Sequence, residues 1–418
     1  MKIVIAHPTG NANVRAATLG LMEADLLGQF YTSIASFPGS FLDRLAKFKP
    51  FSEINRRTFH SSIQSNTSMF PWYEIARLLS IKFEINRLLQ HEKGIFCIDS
   101  VYRKLDRKVA SMLKMTAEYD LNAVYCYEDG AYQSFLKAKS LGLSCYYDLP
   151  IGYWRAAQNF LKNEQERWPD WVSTLTGFQD SELKLFRKDE ELKLADRIFV
   201  ASNFTAQTLK EYPGKLAPIE VIPYGFSPIN TEPKYIAYTG AKPLKVLFVG
   251  SLTQRKGIAQ LFAVADQLGR KIELTIVGRK TEGVCVALDK SLAKHRWIPS
   301  LSHPDVLALM RQSDVLVFPT LFEGFGLVIT EAMSQGIPVI TTERTIGPDL
   351  ITSGENGWII EAGSVESLKV AIENLLQNPK LVNQAGTAAK KTASLRPWSV
   401  YGKELATAIS KPNLTLTF

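Results

Sequence analysis

Cysteine is scarce. Cys97, Cys126, Cys145 and Cys285 are the four in 418 residues, and no two stand in CxxC spacing. That excludes a disulfide framework and a cysteine-based zinc site, and predicts reduced thiols. Long apolar runs are missing too: no window reaches the about eighteen consecutive apolar residues of a spanning helix. MKIVIAHPTG has only a short apolar stretch before His7 and Pro8, so it reads as a first strand and not as a secretion signal. Together these absences predict a cytoplasmic protein. No GxGxxG follows a strand, and no GxxxxGK[ST] loop or DxD pair occurs. Dinucleotide sites, P-loops and carboxylate-held metal–phosphate sites lose ground together, and no metal is expected.

What is present is a folded composition, with 46% hydrophobic and 22% charged residues in a length that suggests two domains. The net charge of +8 is unevenly placed. Between Ser36 and Met115 fourteen Lys and Arg stand against seven Asp and Glu, a net of +7. The same segment is rich in amphipathic helical pattern, with Ile75, Leu78, Leu79 and Phe83 on one stripe and Val101, Leu105, Val109 and Met112 on another. Cations beside Trp72, Phe41 and Phe48 suit an anionic membrane face. Helices packed on a sheet with solvated outer faces fit the pattern equally well. No recognition motif supports nucleic-acid binding.

The chain is organised around VLVFPTLFEGFGLVITEAMSQGIPVITT. Val315 to Phe318 predicts a strand buried on both faces, Pro319 ends it, and Gly324 and Gly326 form a turn that lets backbone approach a ligand. A helix from about Leu327 to Ser334 follows, stopped by Gly336 and Pro338, with the next strand at Val339 to Thr341. Free N–H groups at such a helix start favour an anion, for example a diphosphate. Glu323 and Glu331 would repel that anion, so they should face hydroxyl groups, as a sugar and a ribose would supply.

This stretch, with its two glutamates seven residues apart and the EAMSQGIPVI continuation, resembles retaining glycosyltransferases of family 4 (glycosyl transferases group 1). The resemblance implies an α/β chain of GT-B fold: two Rossmann-like domains whose parallel sheets face a central cleft. It implies that Glu323 contacts the donor sugar, that Gly324, Phe325, Gly326 and Leu327 contact sugar and phosphate, and that Glu331 holds the ribose. In KVLFVGSLTQRKG, Gly250 and Ser251 follow a strand, and Arg255 and Lys256 would clamp a leaving diphosphate. The family's usual Arg after the first glycine is Ser251 here. Ile298 and Leu301 fall on the loop that cups the nucleobase. No cofactor is implied beyond the donor itself, a UDP- or GDP-linked sugar.

The domains are expected at 1–235, with a basic helical insertion at about 36–115, and at 236–395, with residues 396–418 crossing back onto the first. A linker is expected at 227–243. Early in the chain, Gly10 and Asn11 lie on a βα turn before a helix from about Val14 to Leu27, ended by Gly28, with a second strand from Phe30. Strand ends at Glu128 and Asp129 and in DLPIGYWRAA, which holds Tyr153, should open on the same edge. These residues are the candidates for the acceptor side. Where many family members carry a His, this chain has Tyr127, at odds with a His-assisted mechanism. The resulting expectation is transfer of a sugar to a lipid-linked or polysaccharide acceptor, by a cytoplasmic enzyme that would be peripheral at the inner membrane face if the basic helices dock. A GT-B-like epimerase or phosphorylase, and a non-catalytic membrane- or partner-binding paralogue, are the alternatives.

Overall fold

The computed structural model describes residues 1–46, 54–116, 120–175, 178–229, 237–281 and 283–411. Phe48 and the middle of the expected linker lie outside them. Two parallel sheets organise the chain. The first contains β1 (Lys2–Ala6), β2 (Leu27–Thr32), β3 (Thr67–Met69), β4 (Leu121–Tyr127), β5 (Ser144–Leu149), β6 (Arg197–Val200) and β7 (Ile219–Val221), in the order β3-β2-β1-β4-β5-β6-β7. The second contains β8 (Leu244–Val249), β9 (Ile272–Val277), β10 (Arg296–Ile298), β11 (Val315–Phe318), β12 (Val339–Thr342) and β13 (Gly357–Ile360), in the order β10-β9-β8-β11-β12-β13. Strand order reverses direction beside β1 in one sheet and beside β8 in the other. That places a ligand-binding crevice at the carboxyl ends of both, and the GT-B architecture implied above is the one found.

The strands form where β-branched and aromatic runs can be covered on both sides. Every residue of β11 and β12 is buried. The first helix departs from expectation: it spans Ala12–Glu23, Asp25 takes the left-handed turn at φ 55°, and Gly28 sits inside β2. The last helix, Trp398–Ser410, lies on that first helix at a contact only glycines allow, since a Cβ on Gly20 would stand 2.3 Å from the carbonyl oxygen of Gly402. Just before it, the chain clasps the segment leading out of the first sheet, with Phe226 N–H donating to Arg396 O at 2.9 Å.

The basic segment behaves in two ways. In the helix Ile98–Thr116 the apolar stripe of Val101, Leu105 and Val109 packs inward. The helix Trp72–Lys82 is inverted. Glu74 is 0% exposed and takes hydrogen bonds from Arg77 and Arg57, while Trp72 (79% exposed), Ile75, Leu79 and Phe83 (67%) face solvent. Arg57 is therefore a buried partner and not part of a basic surface.

A third connection runs between the halves. Residues 154–175, which belong to the first half by chain order, pack against the second sheet's side: Trp171 stacks on Phe262 at 5.7 Å, and Leu161 joins Leu321 and Phe322 in a small core.

Candidate active site

The carboxyl ends of β1, β4 and β5 face those of β8 and β11 across a cavity of about 500 Å³. From the first half come His7, Asn11, Asn13, Tyr102, Tyr127, Pro150 and Tyr224. From the second come Gly250, Ser251, Arg255, Lys256, Glu323, Phe325, Gly326, Leu327 and their neighbours.

Arg255 and Lys256 sit on a 3-10 turn, Gln254–Lys256, before the helix Ile258–Leu268. Gly257 makes that junction possible with φ 69°, and a Cβ there would lie 2.0 Å from Pro319 O. The turn is tied to the loop after β11, because Arg255 O accepts from Leu321 N at 2.8 Å and Thr320 Oγ1 at 3.1 Å. Arg255 Nη1 donates to Phe322 O at 2.8 Å and lies 3.2 Å from Glu323 Oε2. Lys256 Nζ contacts the same carboxylate oxygen. Burial lowers both cations' pKa, Arg255 to about 10 and Lys256 well below the lysine range, with the Arg255 charge adding to the second shift. The carboxylate touching both acts in the opposite sense. Two cations against one carboxylate leave a formal positive charge in the cleft wall, and an entering anion would support it.

Beside this cluster, Gly326 caps the helix Leu327–Ser334 in the left-handed conformation at φ 86°. The helix therefore starts at the cavity, with its first N–H groups lacking carbonyl partners within the helix. Gly324 does something else. Its carbonyl accepts from Ser202 and Thr205 of the first half, and its α-carbon abuts Pro150 and Ile151. The close approach its missing side chain permits is to the other half of the protein, and Gly324 is not on the cavity wall. Phe325 instead reaches inward, 4.9 Å from the Tyr224 ring.

Glu331 lies beyond the enclosed part of the cleft and pairs with His303, Nε2 to Oε1 at 3.0 Å, a bond that raises the imidazole pKa. Sequence reading gave no sign of this partner, 28 residues away on another helix. Ile298 and Leu301 are half-buried and pack on the core at the end of β10; Gly278 N–H already uses the Ile298 carbonyl at 3.0 Å. Neither lines the cavity.

On the first half, Asn11 reaches the cavity but Gly10 does not: a Cβ there would meet the Cα of Arg57 at 2.8 Å. Glu128, Asp129 and Tyr153 also leave the acceptor side. Glu128 and Asp129 turn to Lys184, Arg187 and Lys188 of the helix Glu182–Leu194, 3.3–3.9 Å away. Tyr153 is fully buried with its hydroxyl donating to Asp189 at 2.7 Å. The long charged helix competes for these groups, and its position could not be read from the strand ends alone.

Aromatic and amide groups hold the acceptor wall instead. His7 is buried, its pKa lowered to about 4 by desolvation, so the ring is neutral at pH 7. It lies edge-on to Tyr127, whose hydroxyl is buried with no hydrogen-bond partner among the described residues. Beneath them Asp148 accepts from Tyr125 at 2.6 Å and from Tyr224 at 3.5 Å, and Asn13 Nδ2 donates to Tyr224 at 3.3 Å.

Away from the cleft, His91, Glu92 and Asp180 bring three potential metal-ligand atoms within 4.8 Å. Lys184 at 2.9 Å from Asp180 and Ser181 donating to Glu92 already satisfy those carboxylates.

Residues 237–392 match the family model described as Glycosyl transferases group 1. Glycogen synthase of Mycobacterium tuberculosis is 25% identical over 262 residues, and the chain spans 60% of its length. The capsular polysaccharide biosynthesis glycosyltransferase CapM of Staphylococcus aureus is 31% identical over 153 residues, 34% of this chain and 40% of its own. Among solved structures, HepE of Anabaena in complex with UDP superposes with a TM-score of 0.63 at 16% identity, over 98% of this chain and 100% of that one. The match to that family lies in the second half of the chain, and the fold of the whole is GT-B.

Proposed function

We propose that this protein is a retaining, metal-independent glycosyltransferase of family 4. It moves a sugar from a UDP- or GDP-linked donor to a lipid-linked or polysaccharide acceptor. The observation that carries the reading is the convergence of Arg255, Lys256 and the Gly326-capped helix start on one cavity, with Glu323 held between the cations. As the bond from sugar C1 to the phosphate oxygen breaks, negative charge grows on the diphosphate, and these fixed donors stabilise it most at that point. Glu323 is engaged by two cations and is a poor candidate for a nucleophile. We therefore assign same-face attack, in which the acceptor hydroxyl bonds to C1 and the departing phosphate oxygen takes its proton. In this scheme Glu331 holds the ribose, and the aromatic wall of His7, Tyr102 and Tyr127 takes the acceptor.

The inverted helix Trp72–Lys82 supports a membrane-peripheral acceptor. Its apolar face is exposed, and Lys82 and Arg87 stand exposed at its end, the composition of an interfacial segment at an anionic surface. No described helix is long and apolar enough to cross a membrane. Incubation with a panel of UDP- and GDP-sugars, reading nucleotide release and thermal shift, tests the function. Neither release nor a shift with any donor rejects it.

A further inference from the structure

We infer that Glu164 is a positioning residue for the diphosphate clamp, an inference that rests on the transferase reading above. Its carboxylate is buried and comes from the first half of the chain; Oε1 pairs with Arg167 Nη1 at 3.2 Å in its own segment, while Oε2 reaches the second half. Oε2 accepts from Gln254 Nε2 at 2.9 Å and from Gln260 Nε2 at 3.0 Å. Gln254 immediately precedes Arg255 and is itself 0% exposed. Its remaining groups are fixed as well: Oε1 accepts from Ala259 N at 3.0 Å, and its backbone N–H donates to Thr174 Oγ1 at 2.9 Å. Thr174 belongs to the same crossing segment as Glu164.

A buried carboxylate loses hydration that a paired cation and its hydrogen bonds must offset, and such bonds can also fix a geometry. Here they define the orientation of the turn Gln254–Lys256, whose two cations must meet a phosphate to within a fraction of an ångström. The segment that carries Glu164 begins just after Pro150 and Ile151, which abut Gly324. One stretch of the first half thus fixes both walls of the anion site. Glu164 does not line the cavity and acts through Gln254.

The measurement is the ratio of UDP to UMP affinity, and of GDP to GMP, by titration calorimetry. The second phosphate reads the clamp, and the monophosphate reads everything else. Glu164→Ala should reduce the diphosphate preference by about tenfold while monophosphate affinity holds, the scale of a charge-assisted bond lost at the second phosphate. Glu164→Gln keeps an acceptor oxygen for the two amides and should restore most of it. Thr174→Val is isosteric and removes the second tie to Gln254; it should lower the ratio in the same direction and serves if the alanine variant does not fold. A folded Glu164→Ala or Thr174→Val protein with an unchanged ratio overturns the inference. If Arg255→Ala also leaves the ratio unchanged, the diphosphate clamp itself is wrong, and the failure belongs to the proposed function.

Discussion

The backbone of Gly324 lies so close to Pro150 that a Cβ added to the glycine would stand 2.3 Å from the proline carbonyl oxygen and 2.4 Å from the Cα of Ile151. Both neighbours are backbone and cannot swing aside. Gly324→Ala should therefore force the halves apart at the cleft, at a cost of about 1–3 kcal/mol for overpacking. Melting temperature and small-angle scattering check this. An unchanged melting point with an unchanged scattering profile would show that the contact is not held in solution.

Replacing Arg255 and Lys256 together by Ala should lower turnover more than ground-state donor binding, because their partner charge develops as the glycosidic bond breaks. Steady-state kinetics separate the two. A raised KM with kcat intact would make the pair uniform binders and remove their transition-state role.

For Glu331→Ala the expected loss of nucleotide affinity is about 1.5–3 kcal/mol, the range for a hydrogen bond to a charged group. His303 adds a pH dependence. Its pKa is raised, first by the hydrogen bond to Glu331, so at lower pH it is a cation that competes with the ribose for that carboxylate. Nucleotide affinity should fall as pH drops through this raised value, and His303→Asn should flatten the profile. Parallel profiles for the two proteins would exclude the competition.

Asp148 bears on stability. Burial pushes its pKa up to about 7, against the lowering effect of hydrogen bonds from Tyr125 and Tyr224. The folded pKa exceeds the unfolded one, so the folded state binds the proton more tightly. The stabilisation is complete below the unfolded carboxylate pKa and lost as pH rises through about 7. Asp148→Asn should gain on the wild type between about pH 4 and pH 8, by about 2–4 kcal/mol across the window. Denaturation curves at several pH values decide it; a constant difference would mean the carboxyl is not protonated in the fold.

Vesicle sedimentation tests the inverted helix. Trp72→Ser with Phe83→Ser should abolish binding to anionic vesicles, and rising salt should weaken the wild-type interaction, since attraction is screened over about 8–10 Å near physiological ionic strength. Nucleotide affinity should not change. Binding that survives both exchanges would leave this face without a membrane role.

The central motif was legible because all its determinants are local. Val315–Phe318 as strand, Leu327–Ser334 as helix and Val339–Thr342 as strand follow from β-branched runs, Gly326 and Pro338. Periodicity was less informative for Trp72–Lys82. It shows that one face is apolar and cannot say which face is buried, and here the Arg57–Glu74–Arg77 ion pairs took the inner side. Glu128, Asp129 and Tyr153 were misplaced for a related reason: strand ends indicate the binding edge, but the cations of Glu182–Leu194 and Asp189 claim those side chains. Glu164 gave no signal at all. Its partners in the second half lie 90 and 96 residues away, and no local pattern encodes such a contact.

The helix Trp398–Ser410 rests on the helix Ala12–Glu23 through the Gly20–Gly402 contact. During synthesis the first of these emerges almost 400 residues before the second. The first sheet must therefore wait with one helix uncovered while the whole second domain is translated. Nascent chains arrested just before Trp398 should accordingly remain open to protease and chaperone at that groove, however complete both sheets have become.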